Sequence, residues 1–203
     1  MSGTESALPK EFPYDVIEFF YPEDTPLRRL LLRHSRQVRE KALAIAEDPR
    51  CPVRGLDLRE LSAGALLHDI GILRCHAPGI LCTGTEPYLA HGILGAQMLR
   101  EYGSAHGENL ERYARICERH TGSGLTAEEI WKENLPIPAR DYLPETETEK
   151  LICLADKFFS KSGDLREKTL PEIRKSMEKF GEAPRKRFDA LCELFGLSEK
   201  RIG

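Results

Sequence analysis

Four histidines and two aspartates stand where this sequence otherwise places apolar residues. His34 falls on the stripe marked by Leu27, Leu30, Leu31, Val38, Ala42 and Ile45, and His68 and Asp69 continue the face set by Leu58, Leu61 and Ala65. His91 shares a face with Leu94, Gly95, Met98 and Tyr102. His120 follows Leu110, Tyr113, Ala114 and Cys117, and Asp156 lies among Ile152, Ala155 and Phe159. A lone inward histidine is ordinarily a hydrogen-bonded core side chain. An inward aspartate is costlier, because an unpaired buried carboxylate loses several kcal/mol and needs cations or donors. Taken together, the six residues call for divalent metal ions, which neutralise the carboxylates and use the imidazoles.

The elements that must carry these residues read as helices. Thr25 before Pro26 is a cap followed by proline at the first helical position, opening a helix through about Ala46. Asp57 with Glu60, Thr126 with Glu129 and Thr146 with Glu149 have the spacing at which cap and third residue satisfy each other's amides. Gly71, Gly103, Gly122, Gly181 and Gly196 are expected at helix stops. No run alternates as a strand would. The connection from Ile72 to Ala90, with Gly79 and Gly84, is expected to act as a lid. Leu135 to Thr146 is a proline-rich loop, and residues 171–181 and 184–196 form two closing helices. The expected fold is all-α, a helical bundle with the metal site in its core. Its expected divisions are an N-terminal extension (1–24), the main domain (25–165) and a helical appendage packed on it (166–203).

Composition narrows the function classes. The 203 residues are 40% hydrophobic and 31% charged, enough for one sizeable core. A net charge of −3 and a pI of about 6.1 give no overall basic field, so no nucleic-acid partner is expected from the whole-chain sum, which does not speak to a local patch. Six cysteines without a C-x-x-C pair fit reduced thiols, and Cys75, His76 and Cys82 lack zinc-ligand spacing. No stretch approaches the ~20 apolar residues of a membrane span, so no membrane partner and a cytoplasmic location are expected. A homo-oligomer is compatible with this composition.

The order His34, His68-Asp69, His91, His120, Asp156 resembles the HD-domain superfamily of metal-dependent phosphohydrolases, and "HDIG" at 68–71 is similar to the signature of its HDIG branch. "YLAHGILGAQML", "ERHTGSGLTAEEI" and "RDYLPETETEKLICLADKFFSK" are similar to uncharacterised HDIG-domain proteins of bacteria and archaea. They are less closely similar to the di-iron HD hydrolases of dinucleoside tetraphosphates. The resemblance spans residues 27–161. It implies a first metal held by His34, His68, Asp69 and Asp156, and a second held by Asp69, His91 and His120, with Asp69 bridging. His68 and Asp69 would then carry catalysis. Imidazole with carboxylate suits iron or manganese first, and also zinc, cobalt or nickel. Two such ions activate a bridging hydroxide and stabilise charge on a phosphoryl group, so the expected substrate is a nucleotide or other small phosphorylated metabolite.

One position departs from the HDIG pattern. Many members place lysine after the glycine, where it faces a substrate phosphate; here Ile72 stands there. Arg74, Arg119 and Lys157, each near a ligand in sequence, are the substrate-binding candidates in its place. His76 and His106 read as loop residues outside the constellation. The resemblance also admits two alternatives: the mixed-valence di-iron oxygenases of the superfamily use the same six ligands on organic substrates, and some HD domains are non-catalytic ligand sensors.

Overall fold

The computed structural model describes residues 11–163 and 165–197, and everything below refers to them; the expectations for 1–10 and 198–203 lie outside the described residues. The fold is mostly helical. A short helix α1 (Tyr14–Phe20) precedes α2 (Pro26–Glu47), where Thr25 Oγ1 accepts from Arg28 N and Pro26 takes the first helical position. Asp57 caps α3 (Leu58–Leu67), accepting from the amides of Arg59 and Glu60. There follow α4 (His91–His106), α5 (Glu111–Arg119), α6 (Ala127–Lys132) and α7 (Glu147–Asp156). Both α6 and α7 open with reciprocal Thr–Glu capping, as the spacing of Thr126 with Glu129 and of Thr146 with Glu149 predicts. The closing helices α8 (Leu170–Met177) and α9 (Glu182–Leu194) follow, α8 opening on a third such box, Thr169 with Glu172.

The core is a bundle in which α2 packs on α3 and α7, and α4 packs on α5. Leu31, Val38 and Ala42 of α2 meet Leu61 and Leu66 of α3 and Leu151 and Ala155 of α7 in one buried cluster. Val16 and Ile17 of α1, and Ile173, Phe188 and Cys192 from α8 and α9, belong to the same cluster. All six cysteines are buried free thiols. Burial pushes Cys75 and Cys192 up to about 12, which keeps these thiols protonated and inert.

The connection between α3 and α4, read from sequence as a glycine-containing loop, carries regular structure. Ile70–Arg74 is a 3-10 turn, followed by a small sheet of β1 (Cys75–Ala77), β2 (Cys82–Thr83) and β3 (Glu86–Pro87) in the order β2-β1-β3. β1 pairs antiparallel with β2 and parallel with β3. Strands this short cannot show a period of two in sequence. Gly84 is needed for close approach, since a Cβ there would lie 2.3 Å from the Arg74 backbone.

Gly103 and Gly71 also work by proximity rather than as helix stops. Gly103 lies inside α4, whose left-handed terminus is Gly107 (φ 71°). A Cβ on Gly71 would lie 2.1 Å from His91 O and 2.3 Å from Gly95 N, both rigid backbone of α4. We therefore expect Gly71→Ala to destabilise the fold by about 3 kcal/mol, at the upper end for overpacking because no side chain can move aside. Urea unfolding measures it, and an unchanged midpoint would contradict this packing.

Candidate metal centre

Five of the six residues sit at helix ends, which converge on one point inside the bundle. His34 projects from the middle of α2. His68 is the C-cap of α3 and Asp69 follows it; His91 begins α4, His120 is the C-cap of α5, and Asp156 ends α7. All six are buried, from fully for His68 and Asp69 to 8% exposed for Asp156.

Backbone carbonyls aim three of the rings. Nδ1 of His68, His91 and His120 lies 2.7 Å from the carbonyl oxygen of Ala65, Tyr88 and Cys117 respectively. A carbonyl only accepts, so Nδ1 carries the hydrogen and Nε2 points inward; on His91 and His120, which stay neutral, it presents a lone pair, while on His68 a metal ion would have to displace the proton that the two carboxylates favour. Nε2 of His91 and of His120 come within 2.9 Å of each other. The two oxygens of Asp69 face different histidines. Oδ2 lies 3.1 Å from His34 Nε2 and 3.2 Å from His68 Nε2, whereas Oδ1 lies 3.4 Å from Nε2 of both His91 and His120. Asp156 Oδ1 completes the first group at 2.9 Å from His34 Nε2.

The electrostatics suit cations. Burial, the largest single influence, disfavours the Asp69 carboxylate, but the Lys161 ammonium 2.6 Å from Oδ2 together with His68, His120 and His34 outweighs it and holds the carboxyl well below its ordinary range. Asp156 is likewise lowered, with Lys157 and then Lys161 overcoming burial. Burial opposes charge on His68, yet the two carboxylates raise it to about 9. Burial, reinforced by His120, lowers His91 to about 3, and burial lowers His120 as well. His68 Nε2 and both Asp69 oxygens are buried without a hydrogen-bond donor in bonding geometry, even with Lys161 at close range. Unsatisfied imidazole and carboxylate atoms of this kind are a donor set for metal. His34, His68, Asp69 and Asp156 form one group whose ligand atoms lie within 4.8 Å of one another, and Asp69, His91 and His120 form another. The cluster can therefore bind metal ions. Among the described residues no other His, Cys, Asp or Glu group has this proximity, and Cys75, His76 and Cys82 form none.

A cleft of about 840 Å³ adjoins Asp156, and its lining includes Lys157, Lys161 and Lys168 with apolar walls from Phe159, Ile173 and Met177. Lys157 Nζ is 2.8 Å from Asp156 Oδ2. Arg74 and Arg119 do not line this cleft. Arg74 pairs with Glu101 at 3.0 Å, and Arg119 donates to Leu143 O and pairs with Glu145, both at 2.6 Å. Leu89 alone of the segment from Ile72 to Ala90 borders the cleft; its other walls come from residues 121–135 and 156–184. Ile72 is fully buried, and His106 is the last residue of α4, stacked on Tyr102, rather than a loop residue.

Lys161 and Tyr88 were not singled out by sequence. Lys161 is the cation nearest Asp69, and Tyr88 stacks on His91 with ring centroids 4.8 Å apart. The available signal was the "DKFFSK" segment that begins at Asp156, whose second lysine, five residues on, turns back into the site.

A mostly helical bundle around a buried His/Asp cluster defines the class, a fold that supports metal-dependent hydrolysis. The chain matches the HD domain over residues 31–160 and belongs to the HD-domain family. It is 37% identical over 132 residues to a tRNA (cytidine(56)-2'-O)-methyltransferase of Picrophilus torridus, and 36% identical over 136 residues to the Thermoplasma volcanium protein of that name. These matches cover 64% and 67% of this chain but 32% and 33% of those relatives, so the chain spans about a third of their length. An uncharacterized protein of Methanocaldococcus jannaschii is 36% identical over 126 residues, which is 62% of this chain and 64% of that one. No solved structure matches the chain. Two relatives named for a reaction on tRNA overturn the expectation of no nucleic-acid partner, which rested on a whole-chain charge sum blind to local patches. No helix among the described residues is long and apolar enough to cross a membrane.

Proposed function

We propose that this chain is a phosphohydrolase that uses two divalent transition-metal ions, iron or manganese foremost, to cleave a phosphate ester or anhydride of a nucleotide or other small phosphorylated metabolite. The observation that carries the reading is the division of Asp69, with one oxygen toward His34 and His68 and the other toward His91 and His120. In this reading His34, His68, Asp69 and Asp156 hold one ion, Asp69, His91 and His120 hold the other, and His68 and Asp69 are the catalytic pair. Bound ions supply an activated water at neutral pH and charge stabilisation at phosphorus. The protein's own part is orientation: carbonyls of Ala65, Tyr88 and Cys117 fix three rings before any ligand arrives. Lys161 and Lys157, which line the cleft beside Asp156, bind the phosphate oxygens, with Lys161 in place of the lysine missing at Ile72. The relatives named for tRNA methylation support RNA as a partner of this chain.

The test is phosphate or nucleoside release from a panel of nucleotides, phosphodiesters and end-phosphorylated RNA by manganese-loaded protein under strict anaerobiosis, with Asp69→Asn as the blank. Hydrolysis that needs no oxygen and vanishes in the blank is expected. No cleavage by the manganese form, together with oxygen consumed by the iron form on an organic substrate, would replace this reading with the oxygenase.

A further inference from the structure

Away from α2 most arginines of this protein are bonded within the chain, with Arg59 and Arg185 the exceptions among the described residues. Arg50, Arg100, Arg115, Arg119, Arg140 and Arg187 each engage a carboxylate of the same chain. Those on the outer face of α2 largely do not. Arg29, Arg33 and Arg36 recur at helical spacing and, with Leu32, Gln37 and Glu40, line a groove of about 340 Å³ opposite the buried stripe. Arg29 is held by Asp24, its Nε and Nη2 bonding the two carboxylate oxygens at 2.9 and 2.7 Å. Arg33 and Arg36 are exposed, and among the described residues neither has an ion-pair or hydrogen-bond partner. Arg36 and Glu40 stand four apart, a spacing that favours pairing, and still form no pair. In a chain with 33 acidic and 30 basic residues, unpaired arginines along one groove are a local positive field directed at something outside the molecule.

We infer that this groove on α2 binds the phosphate backbone of an RNA, with Arg33 and Arg36 as the principal contacts. Guanidinium groups on one rigid helix face present forked donors at fixed intervals, which match phosphate oxygens better than a single carboxylate. A lipid surface fits less well. An interfacial helix must offer an apolar face as well as a charged one, and the apolar face of α2 is spent in the core, with Leu32 the one apolar side chain in the groove. The choice of RNA as the polyanion rests on the RNA partner proposed above; the location of the contact rests on the arginines alone and is separate from the cluster that would do the chemistry.

The experiment is fluorescence anisotropy of a labelled tRNA transcript against the full chain from 50 to 200 mM salt. In Arg33→Gln/Arg36→Gln, affinity at 50 mM salt should fall at least about tenfold, and the slope of log K against log salt should shrink by about 1.4 to 1.8, the share of two phosphate contacts. Arg33→Lys/Arg36→Lys, which keeps the charge, should retain most of the slope, and a control substitution on another face, Lys132→Gln, should change neither. Metal content and hydrolysis of a small substrate should be unaltered in every variant. Tight binding that both glutamine substitutions leave intact overturns the surface assignment while leaving the RNA partner standing. No binding by the unaltered chain overturns both and leaves the hydrolase reading untouched. Loss of binding to phosphatidylserine vesicles, with RNA binding unaffected, would make the groove a lipid contact and the inference wrong.

Discussion

Asp69→Asn is expected to lose metal from both groups and reduce hydrolysis by at least about 1000-fold, the factor that follows from removing about 4 kcal/mol of transition-state stabilisation. The substitution preserves shape and removes only charge and one acceptor. Its force comes from the position of Asp69, whose two oxygens face two different sets of histidines and which is fully buried. His120→Ala separates the two groups, because His120 approaches only the Oδ1 side. It should chiefly weaken retention of the second ion, leaving about one ion per chain. Metal analysis of both variants decides the matter: equal loss of metal in the two would remove the bridging role from Asp69.

Lys161→Met should lower kcat/KM by about 100-fold with the metal content retained, the range found when one preorganised charge donor is deleted from a reacting centre. The ammonium lies 2.6 Å from Asp69 Oδ2 on a side chain 11% exposed, and it borders the cleft, so a phosphate entering there meets it. Arg would restore part of the loss, since its charge persists although its fork is wider than the site. Arg74→Gln should leave turnover within about twofold, as expected of an exposed ion pair. Full activity in Lys161→Met, or a loss in Arg74→Gln that exceeds it, would return the phosphate contact to the arginine first inferred from sequence.

Helix starts and the apolar stripes were legible in the sequence because both are local. A threonine and a glutamate three residues later satisfy each other's amides wherever the helix lies in the fold, so Thr126 with Glu129 and Thr146 with Glu149 could be read without coordinates. The six inward polar residues were legible for a related reason: burying a histidine or aspartate is costly enough that its presence on an apolar face marks a constraint. By contrast, Gly71 and Gly103 carry the same symbol as a helix stop, and only the neighbouring backbone shows that one makes room for α4 and the other for Glu108.

The cations at the site were decided by tertiary structure. Arg74, Arg119 and Lys157 are all close to a ligand along the chain, yet two of the three turn to Glu101, Leu143 and Glu145, while Lys161 bends back from beyond α7 to reach Asp69. A long flexible side chain goes where carboxylates and free volume are, and both are set by which helices meet. The sequence by itself determined the helical elements from α2 onward, their buried faces and the six polar residues on them, because each follows from capping, periodicity or the cost of burying charge, whereas α1 within the expected extension was not read. Which oxygen of Asp69 faces which histidine, which lysine completes the site, and which arginines on α2 remain without a partner depend on ångström-scale distances between segments far apart in the chain, and those exist only once the bundle has closed.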